Sequence, residues 1–127
     1  MCVQLDIVDK VHFEGFCTDI HNEIKDAAMY VLSSDAEGMS NSLLEAMAAG
    51  LPVISTDCPI GGSAMLIEHM KNGILVPVGD VNAMKEAMEY MINNREAAEA
   101  MGAEATKVRE RYSIDLIAQE WISYIQE

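Results

Sequence analysis

Two short apolar runs, Met29-Tyr30-Val31-Leu32-Ser33 and Pro52-Val53-Ile54-Ser55-Thr56, flank a segment of strong helix formers from Asn41 to Ala49. Continuous apolar runs of this kind are typical of strands buried on both faces of a parallel sheet. Leu, Ala, Met and Glu fill the segment between them, and Gly50 stands where a C-terminal helix cap belongs. Pro52 opens its run, where its missing N–H costs the ladder nothing that matters. Further on, Gly61-Gly62 opens a short helix to about Met70, Asn72-Gly73 turns the chain, and Ile74-Leu75-Val76 reads as a third buried strand. Upstream, the alternating Val11-His12-Phe13-Glu14-Gly15 reads as a strand. It leads to a helix capped by Thr18 or Asp19 that runs to about Ala27, with Ile20, Ile24 and Ala27 or Ala28 on one face.

After the third run, Asp80 caps a helix with an apolar stripe of Val81, Met84, Met88 and Met91. A second helix covers roughly Arg95 to Arg111. Ser113 caps a terminal helix, residues 113–127, with Ile114, Ile117, Trp121 and Tyr124 or Ile125 inward. The alternation specifies an α/β fold: a Rossmann-like parallel sheet with helices on both faces, wound with right-handed crossovers. A half-domain of this type normally shows two or three strands before this point. This chain opens instead on a fragment of helix, Val3 to Val8, and so reads as a partial domain entered midway.

The 127 residues make one compact unit, and half of them are hydrophobic, enough for a sizeable core. With 8 Lys plus Arg against 21 Asp plus Glu, the net charge of −13 disfavours nucleic acid and anionic membrane surfaces as partners. No stretch approaches the ~20 apolar residues of a spanning helix, and no signal peptide is expected at the start. Cys2, Cys17 and Cys58 lack CxxC spacing, which fits a reduced, cytoplasmic setting better than a disulfide scaffold or zinc site. Cys58 reads as a small apolar filler. His12, His21 and His69 have no spacing suited to a shared metal, and Met84, Met88 and Met91 read as packing.

Ligands of open α/β sheets sit outside the carboxyl ends of the strands. Three loops qualify: Ser33 to Ser40, Thr56 to Ser63, and Pro77 to Asp80. In the first, Gly38 allows close backbone approach, and the helix start behind it offers unpaired N–H groups and a partial positive charge, a seat for a diphosphate. Glu37 and Glu45 flank that seat, eight residues apart. As carboxylates they are acceptors suited to sugar hydroxyls and poor partners for phosphate. A plainer reading stands beside this one. Ser42-Leu43-Leu44-Glu45 also fits a capping box, worth ~1 kcal/mol, with Glu37 a solvated loop residue.

The run from Glu37-Gly38-Met39-Ser40-Asn41-Ser42-Leu43-Leu44-Glu45 through Ala46-Met47-Ala48-Ala49-Gly50-Leu51-Pro52-Val53-Ile54-Ser55 closely resembles the E-x7-E signature of retaining GT-B glycosyltransferases, specifically glycosyltransferase family four. The resemblance extends from about Asp9 through Gly61-Gly62 and Asn72-Gly73-Ile74-Leu75-Val76-Pro77 to Gly79-Asp80. It implies the C-terminal nucleotide-sugar-binding domain of a two-domain enzyme, with Glu37 as the catalytic-site carboxylate that bonds hydroxyls of the donor sugar. Glu45 is implied to bond the ribose, and the backbone around Gly38, Met39, Ser40 and Asn41 to meet sugar and pyrophosphate. The implied reaction is glycosyl transfer with retention from a nucleotide diphosphate sugar, more often UDP- than GDP-linked, to a polysaccharide or lipid-linked acceptor. The acceptor site belongs to an N-terminal domain. The enzyme is expected in the cytoplasm, peripheral at the inner face of the membrane.

No DxD triplet occurs, and neither a metal nor another cofactor is expected. Departures from the family pattern are Met39 where Phe is commoner, Ser40-Asn41-Ser42 for a frequent Gly-Leu-Pro, and Met65 where an acidic residue often stands. Nothing matches the usual Arg and Lys that neutralise the leaving pyrophosphate, so the chain alone is expected to be inactive. Two other readings fit the same residues: a sugar-nucleotide epimerase of GT-B architecture, and a non-catalytic Rossmann-like interaction domain. The open sheet edge is expected to favour self-association.

Overall fold

The computed structural model describes residues 1–126. Three parallel strands, β1 (Tyr30–Leu32), β2 (Val53–Asp57) and β3 (Ile74–Pro77), pair in the order β1-β2-β3. Tyr30 lies opposite Val53, and Ile54 opposite Ile74. Seven helices surround the sheet: α1 (Ile20–Ile24), α2 (Asn41–Ala49), α3 (Gly62–Leu66), α4 (Val81–Asn93), α5 (Arg95–Ala105), α6 (Val108–Arg111) and α7 (Ile114–Gln126). Among the described residues no helix is long and apolar enough to cross a membrane.

Successive residues of a strand face opposite ways, and β2 uses this to hold two cores. Val53 packs with Leu43, Ala46 and Met47 of α2, and with Leu66, Ala105 and Val108. Ile54 packs on the other face with Ile74 and Val76, with Ala87 and Met91 of α4, and with Ala98 and Met101 of α5. Helices thus cover both faces, as the continuous apolar runs require. Full burial of a side chain such as Leu43 stabilises by about 1.5–3 kcal/mol.

The helix between β1 and β2 spans the residues its composition indicates. At its start, Ser40 Oγ accepts from the Leu43 N–H at 3.4 Å. At its end, Gly50 adopts a φ of 84° and donates its N–H to the Ala46 and Met47 carbonyls. A side chain there would be strained, which is why Gly is needed. The contact extends to α5: a Cβ on Gly102 would fall 2.2 Å from the Gly50 carbonyl oxygen.

Other elements depart from expectation for local reasons. Val11 to Gly15 forms no strand. The three strands pair only with one another, so this segment has no ladder partner among the described residues, and Phe13 stands 86% exposed. The fragment at Val3 to Val8 is a series of turns ahead of a 3-10 turn, Val8–Lys10. The first helix stops at Ile24, where the Ala27 N–H turns back to the Ile24 carbonyl. The third stops at Leu66, because the Asn72 side chain takes the Glu68 N–H and donates to the Leu66 carbonyl. Thr106 Oγ1 donates to the Ala103 carbonyl where one long helix was expected, and the chain splits into α5 and α6.

The inward face of α4 is centred on Ala87 and Met91; Met84 is half-buried, while Val81 and Met88 face solvent. The largest correction is α7. Ser113 caps it, with Oγ accepting from the Leu116 N–H, but the helix buries none of its residues. Ile117 is half-buried, whereas Ile114, Trp121, Tyr124 and Ile125 are exposed, because no other described element covers that stripe. Glu127 lies outside the described residues.

The Gly102→Ala substitution is expected to destabilise the domain by about 1–3 kcal/mol through overpacking against the Gly50 carbonyl. Urea unfolding measures this, and an unchanged midpoint would contradict the close approach.

Candidate functional site

Because the strands are parallel, the loops that leave β1, β2 and β3 emerge at one end of the sheet. A cavity of about 220 Å³ opens there, bounded by Ser33 and Asp35 after β1, Thr56 at the end of β2, and Pro77, Gly79 and Asp80 after β3. The sequence-selected residues Glu37, Gly38, Met39, Ser40 and Asn41 follow on the first of these loops and run into α2.

Glu37 is half-buried, and its Oε2 accepts a hydrogen bond from Ser34 Oγ at 3.2 Å. Ser34 is held in turn, with Thr56 Oγ1 donating to its carbonyl. On the other side, Gly62 lies directly against the Gly38-Met39 peptide. A Cβ on Gly62 would fall 1.7 Å from the Gly38 carbonyl oxygen. The start of α3 is tied to the central strand by Ser63 Oγ and Ser55 Oγ, 2.7 Å apart and buried. The Gly pair is therefore more than a turn: its second member lets α3 press on the loop that leads into α2.

The helix behind the loop begins at Asn41 with Ser40 as its cap, so its first-turn N–H groups open toward the loop. This placement rules out the capping box. Ser42 lies inside the helix, where its Oγ accepts from the Tyr30 hydroxyl at 2.8 Å and lies 3.0 Å from Ser40 Oγ. Glu45 has no capping duty. It is exposed, and among the described residues it makes no hydrogen bond or ion pair.

Glu45 faces a different concavity, about 450 Å³ between α1 and α2, shared with Thr18, Asp19, His21 and Arg109. Glu37 does not line it. The two carboxylates thus flank the start of α2, with Glu37 toward the strand ends and Glu45 toward α1. Arg109, on α6, donates through Nη2 to the Ala48 carbonyl and brings a cationic side chain to that concavity. Asp19 caps α1, and its hydrogen bonds from the Asn22 side chain and backbone hold its carboxyl below the usual range. Among the described residues no group of three or more His, Cys, Asp or Glu is placed to hold a metal.

Sequence reasoning placed Ser34 and Thr56 within two of the candidate loops but gave neither a role, and it missed Arg109, which stands 61 residues from the carbonyl it meets. Contacts between distant segments leave no local pattern. The close approach of Gly62 to Gly38 is equally silent, since it depends on the packing of two loops.

Residues 2–94 match the family described as glycosyl transferases, group 1. An uncharacterised glycosyltransferase of Haemophilus influenzae is 33% identical over 117 residues, covering 92% of this chain and 33% of that protein. Among solved structures, Anabaena Alr3699/HepE in complex with UDP superposes with a TM-score of 0.93 at 23% identity, over 98% of this chain and 34% of that one. Staphylococcus aureus TarM, in complex with fondaparinux, alpha-GlcNAc-glycerol and UDP, gives a TM-score of 0.87 at 28% identity, over 96% of this chain and 25% of that one. These structures share a GT-B glycosyltransferase fold with the chain. The chain spans about a third of the length of the first curated relative.

Two outcomes follow. Gly62→Ala is expected to shift the Gly38 and Met39 amide resonances and cost about 1–3 kcal/mol of stability; unmoved amides would refute the contact. Because the Asp19 carboxyl is depressed in the folded state, its cap contributes above the unfolded pKa and is lost as pH falls through the folded value. Amide protection at Asn22 to Ile24 should therefore drop on acidification while the Leu43 amide, capped by Ser40, holds; equal losses would contradict this.

Proposed function

The chain belongs to the glycosyl transferases of group 1, and from that premise we propose that it is the C-terminal, donor-binding part of a retaining GT-B enzyme of glycosyltransferase family four. The donor is a nucleotide diphosphate sugar, UDP-linked, and the acceptor a polysaccharide or glycolipid chain held by an N-terminal domain. The carrying observation is the pair of carboxylates at the start of α2, Glu37 oriented by Ser34 and Glu45 left free of any structural partner.

Residues 1–127 supply the donor half of the site. Glu37 accepts hydrogen bonds from sugar hydroxyls and acts as the catalytic-site carboxylate. Glu45, exposed on its helix face, accepts from the ribose, a charge-assisted bond worth about 1.5–3 kcal/mol. The first-turn amides of α2, with the backbone of Gly38, Met39, Ser40 and Asn41, receive the pyrophosphate. Their fixed dipoles stabilise charge on the departing nucleoside diphosphate, so the reading calls for no resident metal or other cofactor. The negative surface repels nucleic acid, and the enzyme works from the cytoplasm at the inner membrane face.

Support for a UDP-linked donor comes from the UDP in the Staphylococcus aureus structure at 28% identity. In the full-length protein, Glu45→Ala is expected to weaken UDP binding by about tenfold or more, read by calorimetry. Glu37→Ala is expected to abolish sugar transfer while leaving UDP affinity in place. Unchanged donor turnover in both variants would sink the reading. An isomerised sugar nucleotide, formed with donor and no acceptor, would favour an epimerase. Absence of any nucleotide affinity in the full-length protein would favour a non-catalytic domain.

A further inference from the structure

Thr56 lies in the central strand, 4% exposed, in a position where Val would pack as well and suit a strand at least equally. Its hydroxyl is not spent on the sheet. Oγ1 donates to the carbonyl of Ser34, on the loop after β1, at 2.5 Å. Ser34 Oγ then donates to Glu37 Oε2 at 3.2 Å. A buried strand hydroxyl thus leads through a loop carbonyl and a loop hydroxyl to a half-buried carboxylate. Gly62 bears on the next peptide, so the Glu37-Gly38 corner is contacted by both β2 and α3.

A carboxylate has about four acceptor sites. The Ser34 bond occupies one of them on Oε2 and leaves the rest for an incoming ligand. It also fixes which way the remaining lone pairs face. We infer that Thr56, acting through Ser34, is a positioning residue that aims the Glu37 carboxylate at the hydroxyls of the donor sugar and so sets which sugars the site accepts. The inference rests on the donor-binding reading above.

The experiment uses the full-length protein with Thr56→Val, Thr56→Ser and Ser34→Ala. UDP and a panel of UDP-hexoses are titrated by calorimetry, and the side-chain carboxyl signal of Glu37 is followed by carbon NMR. Ser34→Ala leaves the central strand untouched, so it reports even if Thr56→Val unfolds. Expected in Thr56→Val and Ser34→Ala is UDP affinity within about twofold of wild type, with loss on the order of tenfold in the preference for one UDP-hexose over another. The Glu37 carboxyl signal should shift in both, and Thr56→Ser should restore both readouts. An unmoved Glu37 signal overturns the inference. So does an equal fall in affinity for UDP and every UDP-hexose, which marks a merely structural role. A wild-type protein that binds no UDP-hexose at all overturns the donor reading as well, and is told apart from the first two outcomes before any variant is compared.

Discussion

Burial of β2 on both of its faces is the constraint from which the remaining geometry follows. Val53 and Ile54 point to opposite cores, and each core is closed by helices from distant parts of the chain. With the strand fixed in both directions, its parallel neighbours are held in one register, since a slip of one residue would exchange the two cores. The loops leaving β1, β2 and β3 are then forced to one end, where Thr56 of β2 meets Ser34 of the first loop and Ser34 meets Glu37.

From that frame the site is assembled by close approach. Gly102 lets α5 meet the end of α2, and Gly62 lets α3 meet the loop before α2. The same helix is thus pinned near both ends by glycines on other elements, with Arg109 adding a donor at its last turn. Glu37 sits at the pinned corner, and Glu45, one turn into the helix, lines the concavity toward α1 with no polar partner among the described residues. Membership of the group 1 glycosyl transferases is consistent with a corner that is rigid in its backbone and open in its acceptors.

Much of this was legible in the residues. The buried runs at Tyr30–Leu32, Val53–Asp57 and Ile74–Pro77, the helix ending at Gly50, and the caps Asp19, Asp80 and Ser113 all carry local signals of burial or turn chemistry. The E-x7-E spacing was visible as well. What stayed hidden depends on distant chain. Val11 to Gly15 has the pattern of a strand but no partner, and α7 has the stripe of a packed helix but no cover, because periodicity states a preference for burial without supplying the surface. Asn72 and Thr106 end helices by taking backbone groups for their side chains, a competition that propensity alone does not resolve. Ser42-x-x-Glu45 looked like a capping box because the pattern is blind to where the helix begins.

The hydroxyl-bearing side chains around the Glu37-Gly38 corner have a consequence of a different kind. Every ion pair in the described residues lies on an exposed helix or turn: Glu68 with Lys71, Lys85 with Glu89, Arg95 with Glu99, and Glu104 with Lys107. The corner itself is held by Ser34, Thr56, Ser55 and Ser63, and by a glycine, none of which carries charge. Added salt screens exposed pairs within a Debye length of about 8–10 Å and leaves the neutral Thr56–Ser34 and Ser55–Ser63 bonds almost untouched, so that only the Ser34 bond to Glu37 ends on a charge. An acidic protein whose surface pairs weaken with ionic strength thus anchors its closest-packed loop on neutral bonds that salt hardly reaches.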